Sequence, residues 1–451
     1  MTYHIFYRTT RNQGLLKWIL CSLLMLSCSA QAANDIELPS IGRINPLTIQ
    51  EEKRLGSAWL THYRRQVPIA YDPIINDYLE ILISSLAIHS QTNYDTLSLV
   101  VAKHNSLNAF AVPGGIIGVH TGLFAHAKTE AQLASVLAHE LAHLSQRHYA
   151  RGVEKQKGQS FATIAGFLAS LILVTTSNSD AGVAALSATQ AYAIDQQLRF
   201  SRSFEREADR IGMDILVKAG IDPHATEEMF EQMDRLTRFS SKPPEFLLTH
   251  PLTTNRIIDA VNLARAYPKR VTKENINYQL VRARAILETE ESPQQAIIRF
   301  RNELSGFDTS IDGSRYGLVT ALTDNEQFDE AQEKLDILLR KYPHNRILHM
   351  SQNAIFAGQG DLTNAIKQTL ALIKQHPHYY PLSMQLSQFY RLQRDYEKAS
   401  QVLITLAKQR SNNPSIWYEL AEVSGLNGRI SLLHKARTEF FILHGDFDNA
   451  E

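Results

Sequence analysis

The feature that most constrains the fold of this chain is a 34-residue period in its last third. Two sets of residues keep this interval: Ala331, Ala365 and Ala399, and then Pro343 and Pro377. A small alanine side chain permits two helices to cross closely, and a proline stands where the second helix of a unit would end. A unit of this length cannot bury its apolar face alone, so the period predicts helical hairpins stacked side by side.

The period, the alanines and the prolines together form the tetratricopeptide pattern, which predicts an α-helical repeat solenoid for residues 270–451. Trp417 and Leu420 fit a further first helix, and residues 445–450 resemble the start of another second helix. An irregular helical bundle with accidental alanine spacing is the alternative. The sequence leaves open whether the repeat array is complete at Glu451.

Composition bounds the class of protein. The chain has 451 residues, which corresponds to two or three domains of ordinary size. Lys and Arg number 46 and so do Asp and Glu, so a zero formal charge argues against bulk electrostatic binding of nucleic acid. Hydrophobic residues make up 44% of the chain, which is ordinary globular usage.

The first 32 residues have the pattern of a secretory signal peptide. Basic residues precede an apolar run at 18–26, and residues 30–32 (Ala-Gln-Ala) then form a small-x-small cleavage site. Cys21 and Cys28, the two cysteines of the chain, both lie in this segment, so the mature protein would lack thiols and suit an oxidising compartment. A short membrane anchor and lipidation at Cys28 are the alternatives.

The middle of the chain predicts a small β-sheet followed by a long helix. Apolar, β-branched segments at 97–103, 108–112 and 116–120 read as strands, the last two joined by a Pro-Gly-Gly turn. Thr129 and Gln132 then form a capping box before apolar residues at helical spacing.

Residues 161–174 are almost continuously apolar. The stretch is too short to span a bilayer comfortably, so it favours a buried helix or one that covers an active site. Peripheral contact with a membrane surface is the alternative.

The predicted long helix carries an HExxH motif, formed by His139, Glu140 and His143. Residues four apart lie on one helical face, so both imidazoles can reach one metal ion while Glu140 lies beside them. The third ligand that zinc requires is expected to be Glu205. Asp209, one turn further along the same helix, is expected to orient a ligand histidine through its free ring nitrogen.

Two neighbouring residues are less suitable as metal ligands. His148 is one residue away from the position of a third histidine ligand in HExxHxxGxxH sites, so we expect a solvated or capping side chain there. Glu207 projects from a different face of the second helix than Glu205. A solvated acidic helix is the alternative for the whole segment, but Ala208 and Gly212 weaken it because such small residues suit close helix packing.

Three segments carry a resemblance to a known family: HELAH at 139–143, FEREADRIG at 204–212 and NAFAVPGGIIGVHTGL at 108–123. Together they resemble peptidase family M48, the zinc metallopeptidases. The resemblance implies a mainly α (α+β) fold, with a zincin-like HExxH domain that contains a small β-sheet and is followed by the repeat solenoid. We therefore predict a signal peptide at 1–32, a peptidase domain at 33–269 and a repeat domain at 270–451.

The resemblance implies one Zn²⁺ per chain, held by His139, His143 and Glu205, with Glu140 as general base. His250 lies in a His-Pro segment that the family shares, and it is expected to approach the metal. It would then either stabilise the oxyanion or occupy the open coordination position and keep the enzyme latent. Arg256 is expected to orient a carboxylate nearby, although an ordinary surface arginine is the alternative.

The segment before HExxH is expected to bind substrate by main-chain pairing, which tolerates many sequences. This substrate strand comprises Asn108, Ala109, Phe110, Ala111 and Val112.

The combination of a signal peptide, an M48 domain and repeats resembles periplasmic members of the family. It implies a metalloendopeptidase whose substrates are unfolded or misassembled outer-membrane proteins. The repeats would bind the outer-membrane β-barrel assembly machinery, and a chaperone-like role in assembly is also expected. One alternative is a catalytically quiet chaperone or adaptor that acts through its repeats. A zinc hydrolase acting on something other than peptides is a weaker one.

Overall fold

The computed structural model describes residues 48–155, 169, 172, 202–239, 243–269, 275–306 and 310–450. All of them belong to one compact unit, Pro46–Glu451. The predicted signal peptide at 1–32 and nearly all of the apolar stretch 161–174 lie outside the described residues. Among the helices of the described part, none is both long and apolar enough to cross a membrane.

The first region is mainly helical, as predicted. Its described helices are α1 (Ile49–Gln66), α2 (Pro73–Ala87), α3 (Thr121–His126), α4 (Glu130–Ser145), α5 (His148–Lys155), α6 (Arg202–Lys218), α7 (His224–Phe239), α8 (Phe246–Thr249) and α9 (Thr254–Ala264).

The predicted small sheet is present, with strands β1 (Ser98–Ala102), β2 (Ala109–Val112) and β3 (Ile116–His120) in the order β1-β3-β2. β3 pairs parallel with β1 and antiparallel with β2, so β2 forms an edge of the sheet. The turn between β2 and β3 places Gly114 at φ 96°, where a Cβ would lie 2.7 Å from the Glu52 carbonyl oxygen. Glycine is therefore required at this turn both by its backbone conformation and by the space available.

Helix α4 begins where the sequence predicted. The Thr129 hydroxyl accepts a hydrogen bond from the backbone N–H of Gln132, at 3.2 Å. The Gln132 side chain reaches back one residue further than a regular capping box requires and accepts from the N–H of Lys128, at 2.7 Å. From Leu133 to Ser145 every residue of α4 is buried.

Helix α6 packs directly against α4 because Gly212 lies at their closest approach. A Cβ at this position would be 3.1 Å from the backbone nitrogen of His139. The close crossing that the sequence suggested for this segment therefore positions two metal-binding motifs, which lie some sixty residues apart in the chain, side by side.

The second region consists of paired helices, as the 34-residue period predicted. They are α10 (Ile276–Leu287), α11 (Pro293–Ser305), α12 (Ile311–Asp324), α13 (Phe328–Lys341), α14 (Arg346–Gly358), α15 (Leu362–Gln375), α16 (Tyr380–Leu392), α17 (Tyr396–Gln409), α18 (Pro414–Leu426) and α19 (Ile430–His444). Ala331, Ala365 and Ala399 are all completely buried. Pro343 and Pro377 each follow the end of a second helix by two residues. Residues 447–449, where a further helix was expected to begin, form one 3₁₀ turn.

The repeats fold back onto the first region, with contacts between α16 and α2 and between α19 and α1. The Arg410 guanidinium donates to Glu80 on α2, and the Tyr71 hydroxyl lies 2.8 Å from His444 Nε2. The two regions therefore share an extended polar interface. The boundary predicted between residues 269 and 270 adjoins residues outside the described part and stays a prediction.

Candidate active site and metal centre

The two histidines of the HExxH motif lie one turn apart on α4 and face each other. Their Nε2 atoms are 3.1 Å apart, and both side chains are buried. Helix α6 brings Glu205 to both of them, with its Oε2 3.5 Å from His139 Nε2 and its Oε1 3.4 Å from His143 Nε2. The structure thus brings together the three residues predicted to bind metal.

These spacings suit a bound metal ion. In a tetrahedral zinc site with bonds of about 2.0–2.1 Å, neighbouring donor atoms are about 3.4 Å apart. The donor atoms of His139, His143, Glu205 and His250 all lie within 4.8 Å of one another, and all four residues are buried. Two imidazoles and a carboxylate form the donor set that zinc takes in many peptidases. The residues present therefore fit a zinc-type ion.

The environment keeps the predicted carboxylate ligand ionised. Burial alone would raise the pKa of Glu205, but His250 and Arg256 nearby hold that pKa well below its usual value. The Arg256 guanidinium lies 2.8 Å from Glu205 Oε2. A negative charge is thus available at the centre of the cluster, which favours a cation.

Asp209 and Arg256 form a buried pair behind the cluster. Asp209 Oδ1 accepts from His139 Nδ1 at 3.0 Å, which leaves Nε2 of that ring to face the other donors. Arg256 binds Asp209 through two hydrogen bonds of 2.7 Å each. Arg256 therefore orients two carboxylates and is not a surface residue; it is 3% exposed.

The structure places His250 in the fourth donor position. The residue follows the single turn of α8, and its Nδ1 lies 3.1 Å from Glu205 Oε1 and 3.3 Å from His139 Nε2. Its Nε2 is 3.4 Å from Glu140 Oε1. His250 therefore contacts both the candidate metal ligands and the candidate base.

Glu140 faces the edge strand as well as the cluster. Its carboxylate accepts a hydrogen bond from the backbone N–H of Ala111 in β2. Burial raises the pKa of Glu140, and the neighbouring His250 and His139 oppose that rise. An elevated pKa moves a carboxylate towards the range in which it both accepts and donates a proton near neutral pH.

The expectation of a solvated His148 was wrong. The residue is completely buried, and its Nδ1 lies 3.0 Å from Nδ1 of His143. Its Nε2 contacts Glu207 at 3.2 Å, and Arg151 holds the same carboxylate. Burial lowers the pKa of His148 to about 4, so its ring is neutral. Because Nε2 of His143 faces the candidate metal ligands, its Nδ1 is left to carry the proton and donate to Nδ1 of His148.

A break in the helix explains why the expectation of a solvated His148 was wrong. The expectation extrapolated α4 beyond its end, whereas α4 stops at Ser145 and Arg147 adopts a left-handed φ of 49°. The chain then turns back and starts α5 at His148. A non-glycine residue with positive φ has a weak sequence signature, so helical spacing could not find this contact.

The predicted substrate strand lies along the same cluster. Residues 109–112 form β2 and are all buried, and Asn108 is 5% exposed. The Asn108 amide lies 3.4 Å from Glu245, and the N–H of Phe246 donates to the Leu107 carbonyl at 3.2 Å. The segment that leads to His250 is thus fastened to the start of this strand, and peptide binding along it stays a prediction.

Comparison with known proteins agrees with this arrangement. The sequence model of peptidase family M48 matches residues 73–264, and a tetratricopeptide repeat model matches residues 316–380. The chain is 38% identical to a putative beta-barrel assembly-enhancing protease of Vibrio cholerae, over 72% of this chain and 69% of that protein. It is 32% identical to the beta-barrel assembly-enhancing protease of Escherichia coli K12, over 73% and 68% of the two chains.

A more distant relative is the mitochondrial metalloendopeptidase of Arabidopsis thaliana, which is 33% identical over 34% of this chain and 28% of its own. The segment matched to family M48 contains every one of the donors described above. The chain belongs to peptidase family M48, and it is a metalloprotease followed by tetratricopeptide repeats.

Proposed function

We propose that this protein is a zinc metalloendopeptidase of the periplasm that degrades misfolded or stalled outer-membrane proteins and assists their assembly. The observation that carries the proposal is the buried cluster of His139, His143, Glu205 and His250, with Glu140 between it and the edge strand. Relatives named for enhancing β-barrel assembly support the substrate class, and the predicted signal peptide supports the location.

Zinc is the metal that best suits two imidazoles and one carboxylate in a buried peptidase site. When bound, it lowers the pKa of a water molecule to about 7 and polarises the scissile carbonyl. His139, His143 and Glu205 would hold the ion, and Asp209 fixes the ring of His139. Glu140 would accept the proton of the attacking water and deliver it to the leaving amine.

Substrate binding is proposed at the edge of β2. An extended peptide would pair with residues 108–112 through main-chain hydrogen bonds and so lie beside Glu140. The repeats would recruit outer-membrane proteins or the β-barrel assembly machinery, since such solenoids present extended binding surfaces.

His250 has two candidate roles. It would hold the resting enzyme latent by keeping the fourth donor position, or it would stabilise the oxyanion once substrate displaces it. His250→Ala separates the roles, because cleavage rises in the first case and falls in the second. Unchanged cleavage together with unchanged metal affinity would contradict both.

The test of the main proposal combines metal content with cleavage. The purified full chain is expected to hold one zinc per molecule and to cleave an unfolded outer-membrane protein. Glu140→Gln should lower the rate by about 10²–10⁴-fold and leave the zinc content unchanged. Glu333→Gln is a matched control, because the side chain of Glu333 is 70% exposed on the repeats.

Two results would favour the alternative of a quiet, repeat-based chaperone. The first is a zinc content near zero that added zinc does not restore. The second is a wild-type protein that assists assembly but shows no cleavage.

A further inference from the structure

A second histidine–carboxylate cluster lies outside the active site. We call it the outer cluster, and it consists of His104, Ser106, His120 and Glu245. His104 and Ser106 follow β1, His120 ends β3, and Glu245 directly precedes α8. Three separate segments of the chain therefore converge at the start of the edge strand.

The two imidazoles are arranged about one hydroxyl. The Ser106 Oγ lies 2.8 Å from Nδ1 of His104 and 2.8 Å from Nδ1 of His120. The backbone N–H of Ser106 also donates to His104 Nδ1, at 3.2 Å. These contacts hold the same nitrogen of each ring towards a common point.

The Glu245 carboxylate faces both of these nitrogens. Its Oε1 is 3.8 Å from His104 Nδ1, and its Oε2 is 3.6 Å from His120 Nδ1. Donor atoms about a tetrahedral zinc-type ion are about 3.4 Å apart. The corresponding His–Glu distances in the active site are 3.4–3.5 Å, so those of the outer cluster are longer by only a few tenths of an ångström. The ligand atoms of His104, His120 and Glu245 all lie within 4.8 Å of one another, as do those of the active-site cluster.

The burial of the three side chains suits a metal site that an ion can enter from solvent. His120 is completely buried, and burial together with His104 keeps its pKa well below the usual value, so its ring is neutral. The side chains of His104 and Glu245 are 26% and 18% exposed, which leaves one side open to solvent. Neutral imidazole and carboxylate are the forms that bind divalent transition metals.

We propose that His104, His120 and Glu245 form a second divalent transition-metal site, weaker than the first, which regulates the peptidase. The ion would exchange the hydrogen bonds centred on Ser106 for bonds to the two rings and the carboxylate. The outer cluster is partly exposed and has three donor residues, whereas the buried active-site cluster has a fourth donor in His250, so we expect the outer site to bind the ion more weakly.

The site is placed to act on His250. Glu245 is five residues before His250, and the intervening turn closes with a 2.9 Å hydrogen bond from the His250 N–H to the Phe246 carbonyl. The same segment already contacts the strand through Asn108 and Leu107. An ion that ties Glu245 to His104 and His120 would fasten this segment, keep His250 among the active-site donors and so slow cleavage.

The first experiment counts metal ions and does not depend on activity. The full chain is equilibrated with zinc buffered at nanomolar or micromolar free concentration, and bound zinc is measured after gel filtration. We expect one ion per chain at the lower concentration and two at the higher. His104→Ala and Glu245→Gln should bind one ion under both conditions.

A matched control excludes binding to scattered surface histidines. His378 is exposed on the repeats, and His378→Ala should still bind two ions. A wild type that holds one ion at both concentrations would overturn the proposal. The proposal would also be overturned if Glu245→Gln and His104→Ala each still bound two ions. If His104→Ala does not fold, the ion count of Glu245→Gln alone decides.

Two further measurements separate this inference from the proposed function, on which its regulatory part rests. His139→Ala should lose the tight ion and keep the weak one, so the outer site is tested even if no cleavage is found. Micromolar zinc should slow cleavage by the wild type several-fold but leave His104→Ala unaffected. Equal inhibition of both proteins would contradict the regulatory role.

Discussion

The peptidase region and the later repeats bury different kinds of side chain. Around α4 and α6 the interior holds a continuous set of ionisable groups: His139, Glu140, His143, His148, Glu205, Asp209, His250 and Arg256. Between the later repeat helices the buried polar groups are small and uncharged: Asn353, Thr369, Ser387, Ser400 and Ser424. The first interior is arranged for chemistry, and the second is arranged for close helix packing.

The difference shows where each region obtains its stability. Small hydroxyls in helices can bond to the preceding turn: Thr369 donates to the Ala365 carbonyl at 2.8 Å and Ser387 to the Met384 carbonyl at 2.7 Å, so these two groups are satisfied within their own helix. A buried charge costs several kcal/mol unless a partner compensates it. The partners in the peptidase region come from distant segments, so its interior is stable only when all of them are in place.

Arg256→Ala should have the largest effect, because it leaves two buried carboxylates without their cation. We expect a loss of about 3–5 kcal/mol in the unfolding free energy of the metal-free protein, measured by chemical denaturation. The loss should be smaller with zinc bound, since the ion supplies positive charge. Arg235→Ala is the control: this exposed residue contacts Glu231 and Gln232 at the surface, and its loss should cost under about 1 kcal/mol. Equal losses of stability in the two variants would contradict the claim that the buried ion pairs contribute more than the exposed one.

Asp77→Asn tests the interface where the two regions meet. Burial raises the pKa of Asp77 to about 6, although Arg346 and Arg410 from the repeats oppose the rise. Its unfolded pKa is about 3.9, so the folded state binds more protons between these values and loses stability as pH rises through that window. Asp77→Asn should therefore be more stable than the wild type by up to about 2–3 kcal/mol near neutral pH, with the difference vanishing below about pH 4.

Asp95→Asn serves as the control for this pH dependence, because the side chain of Asp95 is 88% exposed. Its stability should follow that of the wild type at every pH. A constant difference between Asp77→Asn and the wild type across the pH range would contradict the argument from burial.

His148→Ala should weaken metal binding without unfolding the peptidase region. The neutral ring accepts the N–H of His143 and so orients that ligand, and removing such a partner costs about 10–100-fold in metal affinity. His148→Gln retains an acceptor of similar reach and should recover part of the affinity. Competition with a zinc chelator measures both variants, and an unchanged affinity in His148→Ala would assign the residue a packing role only.

Gly317→Ala should have the smallest of these effects and should be confined to the repeats. A Cβ on Gly317 would lie 2.3 Å from the ring of Phe300, which is itself buried, so the two helices must separate. We expect a loss of about 1–2 kcal/mol in unfolding free energy, with zinc affinity unchanged. Gly425→Ala is the matched control, since its Cβ would meet nothing closer than 3.8 Å, and it should be neutral or stabilising.

The sequence predicted most of the fold because its strongest signals are local. The alanine and proline period, the helix start at Thr129 and the strands around the Pro-Gly-Gly turn all appear in the structure. Each repeat hairpin, helix start and turn depends on residues that lie close to one another in the chain. The approach of Glu205 to the histidines was predicted from the family resemblance and from two carboxylates one turn apart, and the structure brings these residues together.

The contacts that the sequence could not predict follow changes of chain direction. His148 reaches His143 because Arg147 reverses the chain, and the outer cluster forms because β3 and the start of α8 meet beyond β1. The residue spacing within a single helix or strand indicates neither of these contacts.

The sequence by itself determined which residues share a helical face, since covalent geometry fixes the spacing of His139 and His143 on α4. It also determined the repeat solenoid, because each hairpin is specified by its own small and apolar residues. Only the tertiary structure decided which charges compensate one another. That choice depends on the desolvation of every partner at once. Arg256, Asp209 and Glu205 become mutually stabilising only when α9 has packed against α6, which itself packs against α4.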